Sequence, residues 1–325
     1  MAGFFVGCVL VMLGMVPLVS ADSLDSRENL NATLWMQTAH EYAFSTAQVY
    51  GVATRALAEA RNFDSALIDT DASEAAPDAP PAIILDLDET VLNTSRYAAG
   101  LIGNGQRHTE AAWDTWVASS TMDVAPADPV PGALAFLHAA RAQGYRIFYV
   151  TNRACPDAGR RASYPHPACP QRDATVALAK RVGLPFADDP AVFLFRNDQD
   201  GWEGGDKTPR RRFLAGANKV VLLFGDDLGD FLPRAEVNAL RAQRPPDRLV
   251  GVEGAPSWLA RFGRQWFLLP NPSYGSWEVA LAACEASDKD SQACYEERLR
   301  AKYRRLIPPL LVPLAAPPAA PTPPG

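Results

Sequence analysis

The sequence has no excess of positive charge. Lys and Arg number 31 against 37 Asp and Glu, the formal net charge is −6 and the pI is near 5.3, which excludes a general nucleic-acid-binding surface. Histidine is scarce. His40, His108, His138 and His166 show no metal-ligand spacing. Arg107-His108-Thr109 is not the Arg-His-Gly motif of histidine phosphatases, which argues against phosphohistidine chemistry. No cysteine pair has the C-x-x-C spacing of a zinc site, and no internal repeat is present. The remaining composition, 48% apolar and 21% charged with mean hydropathy −0.11, excludes collagenous, fully disordered and polytopic membrane chains. A length of 325 residues gives a prior of about two domains.

Two quantities stand out, 28 prolines and an odd count of five cysteines. Both have local explanations. Residues 3–19 are apolar and uncharged, and Val19-Ser20-Ala21 has the small-residue form of a cleavage site, so residues 1–21 read as a signal peptide cut after Ala21. That implies a periplasmic or secreted protein. A retained anchor is disfavoured by Pro17 and the short run, and lipidation at Cys8 by the few residues before it. Removal of Cys8 leaves Cys155, Cys169, Cys284 and Cys294. An even number in an exported chain suggests disulfides, with Cys155–Cys169 and Cys284–Cys294 chosen among three connectivities. Residues 307–325 hold eight of the prolines and read as a disordered tail, with envelope contact as its functional alternative.

Between these ends lies the body, residues 22–306. Residues 26–62 carry a helical pattern, and an Ala/Pro/acidic linker runs from Asp71 to Pro81. Short apolar runs then recur at 83–85, 146–150, 191–195, 220–224 and 266–269. Helical patterns at 131–142, 173–182, 208–216, 231–243 and 256–263 separate or follow them, and Ser291–Leu306 closes the body as a basic amphipathic helix. Alternating strands and helices predict an α/β domain with a largely parallel sheet.

Ligand sites in such sheets lie beyond the carboxyl ends of the strands. Asp86-Leu87-Asp88-Glu89-Thr90 follows the first strand, Thr151-Asn152-Arg153 the second, and Gly225-Asp226-Asp227-Leu228-Gly229-Asp230 the fourth. Asp206-Lys207 lies between the third and fourth. A lone acid after a strand is usually a cap or turn residue, but gathered acids repel unless a cation sits between them. Two carboxylates from different strands can hold Mg²⁺, a carboxylate beside it can attack phosphorus, and an acid two residues on can serve the leaving oxygen. Lysine and a hydroxyl match the phosphoryl oxygens.

These residues resemble the haloacid-dehalogenase-like (HAD) superfamily, and within it the class C, or DDDD-type, acid phosphatases and the lipoprotein e type of 5′-nucleotidase. The resemblance is carried by Ile84–Thr94 with Tyr97, Tyr149–Arg153, Asp206–Thr208 and Val221–Phe231, with flanking similarity at Leu34–Thr38 and Leu269–Trp277. It implies an HAD-like Rossmannoid core with a smaller helical cap drawn from about 26–62, 96–120 and the C-terminal helix. It implies a Mg²⁺-dependent phosphomonoesterase acting through an aspartyl-phosphate, with 5′-nucleotides or nicotinamide mononucleotide as plausible substrates. By the resemblance Asp86 is nucleophile and metal ligand, and Asp88 is general acid and base with its carbonyl on the metal. Asp226 and Asp230 complete the metal set. Thr151 and Lys207 face the phosphate, Asn152 binds substrate, and Tyr97 and Tyr274 sandwich its aromatic part or merely pack. A non-catalytic binding or storage protein on the same fold, or a phosphotransferase, remain the alternatives. Asp227 departs from the family pattern of Asn or Thr, and is open to a metal, a pH-profile or a solvent role. Arg210-Arg211-Arg212 reads as a solvated helix face with one side chain able to reach phosphate, and Trp113 and Trp116 as core packing in a cap region.

Overall fold

In a computed structural model of the chain, the described residues are 28–68, 78–119, 127–156, 169–242, 256–281 and 291–305. The expected signal peptide, the Pro-rich tail and Cys284 lie outside them. In chain order the elements are α1 (Leu30–Thr38), α2 (His40–Ala60), β1 (Pro81–Leu85), β2 (Leu92–Asn93), α3 (Ser95–Gly103), α4 (Glu110–Ala118), β3 (Asp128–Pro129) and α5 (Ala133–Ala142). They continue with β4 (Arg146–Ala154), α6 (Pro170–Val182), β5 (Phe193–Arg196), α7 (Thr208–Ala215), β6 (Lys219–Gly225), α8 (Arg234–Ala242), β7 (Trp266–Leu268), α9 (Ser276–Leu281) and α10 (Gln292–Arg305).

The apolar runs become one parallel sheet in the order β5-β4-β1-β6-β7. The chain steps outward from β1 through β4 to β5, then returns to β6 on the other side of β1. Right-handed crossovers therefore place α5 and α6 on one face and α7 and α8 on the other. The reversal beside β1 is the topological switch point, where such sheets open a crevice for ligands. Burial explains why the central strands carry unbroken apolar runs: Ile83, Ile84, Leu85 and Val220 through Phe224 are all covered on both faces. Each such side chain contributes roughly 1.5–3 kcal/mol when fully buried.

The helical segment expected at 26–62 is present as two helices, α1 and α2. It breaks at Ala39, whose backbone is extended (φ −80°, ψ 129°). The bend sends α1 against α3, where Met36 is buried and its Sδ accepts from the Ser273 hydroxyl at 3.1 Å. It turns α2 into the main core. There Tyr50 stacks on Phe224 at 5.6 Å, and its hydroxyl donates to the Thr90 carbonyl at 2.6 Å, tying α2 to the loop after β1. Gly132, at φ +92°, starts α5 where any Cβ would lie 3.0 Å from the Ala47 Cα, so the close approach of α2 and α5 requires glycine. The expected helix 256–263 is a 3-10 turn, Ser257–Arg261, and the expected helix 231–243 starts only after Pro233.

Candidate active site

Parallel pairing sets the centre of the site. Leu85 lies opposite Phe224, and the Asp86 amide donates to the Phe224 carbonyl at 3.0 Å, so the acids that follow β1 and β6 emerge side by side. A 3-10 turn, Leu228–Asp230, brings a third acid back to them. One carboxylate oxygen from each of Asp86, Asp226 and Asp230 lies within 4.8 Å of the other two. Lys207, just before α7, bridges this group through an ion pair to Asp86 and another of 2.6 Å to Asp230.

The electrostatics follow from packing several acids where water is scarce. Burial pushes Asp86 up to about 7; Lys207 opposes the rise, while Asp230 and Asp88 add to it. Burial, then Asp86 and Asp230, hold Asp226 well above the carboxylate range. Burial works against the Lys207 charge, but Asp230 and Asp86 outweigh it and its affinity for the proton rises. An all-oxygen donor set with surplus negative charge fits a hard divalent cation. Two further bonds fix Asp226: Thr90 Oγ1 donates to Oδ1 at 3.0 Å and Asn271 Nδ2 to Oδ2 at 2.9 Å.

Asp227 belongs to neither the metal group nor the solvent. Its Oδ1 caps the 3-10 turn through the Gly229 amide at 2.8 Å, and its Oδ2 accepts from the Ser276 amide at 2.6 Å. It therefore pins the start of α9 to the loop after β6.

The opposite wall comes from β4, whose pairing with β5 shifts register between Val150 and Ala154. Thr151 is fully buried; its Oγ1 accepts from the Arg153 amide at 3.0 Å, which leaves its own proton to give. Asn152 lines the cavity and donates to the Gly205 carbonyl at 3.2 Å. The Asp88 carboxylate stands apart from the acid trio and receives the Arg153 guanidinium, Nη2 to Oδ1 at 2.7 Å and Nε to Oδ2 at 3.1 Å. The expectation of a solvated arginine face holds only for Arg212. Arg210 and Arg211 have no exposed surface. Arg210 donates to the Thr151 carbonyl and to Asn152 Oδ1 at 2.7 Å, and Arg211 to the carbonyls of Gly229 and Asp230 at 2.9 and 3.1 Å. The two side chains thus brace the end of β4 and the loop after β6.

The cavity over these groups has a volume of about 1280 Å³. Tyr97 and Tyr274 both line it. Tyr97 packs edge-on to Trp113 at 5.0 Å and contacts Trp116 at 5.5 Å, and its hydroxyl lies 3.0 Å from His108 Nδ1. Tyr274 is 40% exposed as a residue, and its hydroxyl donates to the buried Glu89. Glu89 itself is buried at φ +60°, and also accepts from the Thr94 amide at 2.8 Å. Burial and the neighbouring Asp88 push Glu89 up to about 7, against the pull of its donors.

Residues 23–277 match the family described as HAD superfamily, subfamily IIIB (acid phosphatase). The chain belongs to that family. Two solved structures are similar over 88% of this chain and 99% of theirs. One is the class C acid phosphatase from Bacillus anthracis, at 28% identity and TM-score 0.63. The other is the crystal structure of that class C enzyme with tungstate bound, at 29% and 0.64. This subfamily IIIB acid phosphatase is a phosphomonoesterase of the HAD class C type, and such enzymes use a divalent metal.

Several residues of this acid phosphatase's site escape a reading of motifs alone. Arg153 was legible in principle: it shares the period-2 face of β4 with Tyr149 and Thr151, which marks it as inward. Glu89, Asn271, Arg210 and Arg211 carried no comparable signal. Their roles arise from contacts across long stretches of sequence.

Proposed function

We propose that this acid phosphatase is exported, uses Mg²⁺, and hydrolyses small phosphomonoesters, 5′-nucleotides or nicotinamide mononucleotide among them, through an aspartyl-phosphate on Asp86. The observation that carries the reading is the convergence of Asp86, Asp226, Asp230 and Lys207 at the switch point of the sheet. An Asp86 oxygen attacks phosphorus as the bond to the ester oxygen breaks, and Asp88 gives that oxygen its proton. Asp88, now a carboxylate, takes a proton from water; the water oxygen bonds to phosphorus, the Asp86–phosphorus bond breaks, and inorganic phosphate leaves. Lys207, Thr151 and Asn152 hold the phosphoryl oxygens. Asp86, Asp226, Asp230 and the Asp88 carbonyl would hold Mg²⁺, which supplies charge neutralisation for the phosphoryl group.

Export is supported by the uncharged apolar run 3–19 and by the disulfide between Cys155 and Cys169. Tyr97, Tyr274 and Trp113 on the cavity wall support a substrate that carries an aromatic ring. The test is a panel of phosphomonoesters with Mg²⁺ or EDTA beside Asp86→Asn. Activity that depends on Mg²⁺ and on Asp86 is expected. Indifference to EDTA, or equal activity in the variant, would overturn the mechanism.

A further inference from the structure

The chemistry above leaves Arg153 without a task, although it is among the largest fully buried side chains. Every arm of its guanidinium is committed. Nε and Nη2 meet the two Asp88 oxygens side-on, and Nη1 donates to Thr175 Oγ1 at 2.9 Å. Its Cζ also lies 5.7 Å from the centre of the Trp113 ring, on the aromatic wall that includes Tyr97. A fork of this kind fixes the plane of a carboxylate, which a lysine cannot do.

The frame behind the guanidinium is rigid. Thr175 is fully buried on α6. The start of α6 is stapled to the end of β4 by the Cys155–Cys169 disulfide and by the Ala154 amide, which donates to Gln171 Oε1 at 3.0 Å. Asp88 in contrast shows part of its carboxylate to the cavity, its side chain being 14% exposed against none for Arg153. The carboxyl group therefore lines the same cavity as Asp86, Tyr97 and Trp113.

We propose that Arg153, fixed by Thr175, is the positioning residue that holds the Asp88 carboxyl group toward the leaving group. This inference rests on Asp88 as proton donor. It separates two kinds of substrate. An alkyl ester such as 5′-AMP needs a proton on its leaving oxygen, whereas p-nitrophenolate leaves without one. kcat/KM reports the steps up to that departure.

The experiment measures kcat/KM for 5′-AMP and p-nitrophenyl phosphate in wild type, Arg153→Gln, Arg153→Lys, Thr175→Val and Asp88→Asn, with Mg²⁺ present. General acid catalysis contributes about 10²–10⁴-fold, so Arg153→Gln is expected to lose about 10²-fold on 5′-AMP and far less on p-nitrophenyl phosphate. Arg153→Lys recovers part of the loss. Thr175→Val gives a smaller loss with the same selectivity, and keeps the test standing where Arg153→Gln does not fold. Equal losses on both substrates, or none, in Arg153→Gln and Thr175→Val overturn the positioning role while a selective Asp88→Asn leaves the mechanism intact. An Asp88→Asn variant without selectivity overturns both.

Discussion

Gly225 and Asp230 are packed flush: a side chain on Gly225 would occupy the space of the Asp230 carboxylate and its Cβ. The missing side chain is what lets Asp230 fold back to Lys207 and to the acids after β1 and β6. Gly225→Ala is expected to push Asp230 out of the group. Misplacing a catalytic group by about 1 Å can cost on the order of 10²-fold in rate, and overpacking costs about 1–3 kcal/mol of stability. Phosphatase kinetics and urea melts check both. A folded Gly225→Ala with wild-type kcat/KM would contradict the geometry.

Much of this arrangement was legible because it obeys local rules. The unbroken apolar runs at 83–85 and 220–224 announced buried parallel strands, and acids directly after them had to stand at the carboxyl edge. What stayed hidden depends on tertiary contact. The break at Ala39 has no proline or glycine to mark it; it follows from Met36 and Tyr50 packing in different places. A run of three arginines after Lys207 gave no hint that two would be buried, because their partners are backbone carbonyls and an asparagine on other loops. Asp227 looked like a surplus acid for the same reason: its partner, Ser276, is 49 residues away.

Tyr274 tests the aromatic wall. Stacking a base on an aromatic ring is worth about 1–3 kcal/mol, so Tyr274→Ala is expected to raise KM for 5′-AMP by roughly tenfold and leave KM for glycerol phosphate nearly unchanged. Equal changes for the two substrates would remove the ring from base recognition. Tyr274→Phe keeps the ring but deprives buried Glu89 of a donor, and is expected to cost about 1–3 kcal/mol of stability.

Stability of the metal-free protein should depend on pH in a defined direction. Burial raises Asp86 from 3.8 and Glu89 from 4.5, both to about 7. Each carboxyl binds its proton more tightly folded than unfolded. Their contribution is fully present below the unfolded values and is lost as pH rises to about 7. The melting temperature in EDTA should fall from pH 5 to pH 7, Glu89→Gln should flatten the fall, and Mg²⁺ should restore stability at pH 7 by binding the folded state. A metal-free melting temperature that rises over this interval would contradict the electrostatics.

The Cys155–Cys169 bond closes a loop with a sequence separation of 14, for which chain entropy gives about 3 kcal/mol. Cys155→Ala with Cys169→Ala is expected to lower the unfolding free energy by that order in urea. An unchanged midpoint and slope would show that the loop is held by other contacts.

The most direct measurement is capture of the phosphoenzyme. The protein is mixed with ³²P-labelled phosphomonoester and Mg²⁺, quenched in acid during turnover, digested and analysed by mass spectrometry. The expected result is a hydroxylamine-labile phosphate on Asp86, absent from Asp86→Asn together with turnover. Turnover without label on Asp86, or sustained activity in Asp86→Asn, would contradict the aspartyl-phosphate mechanism.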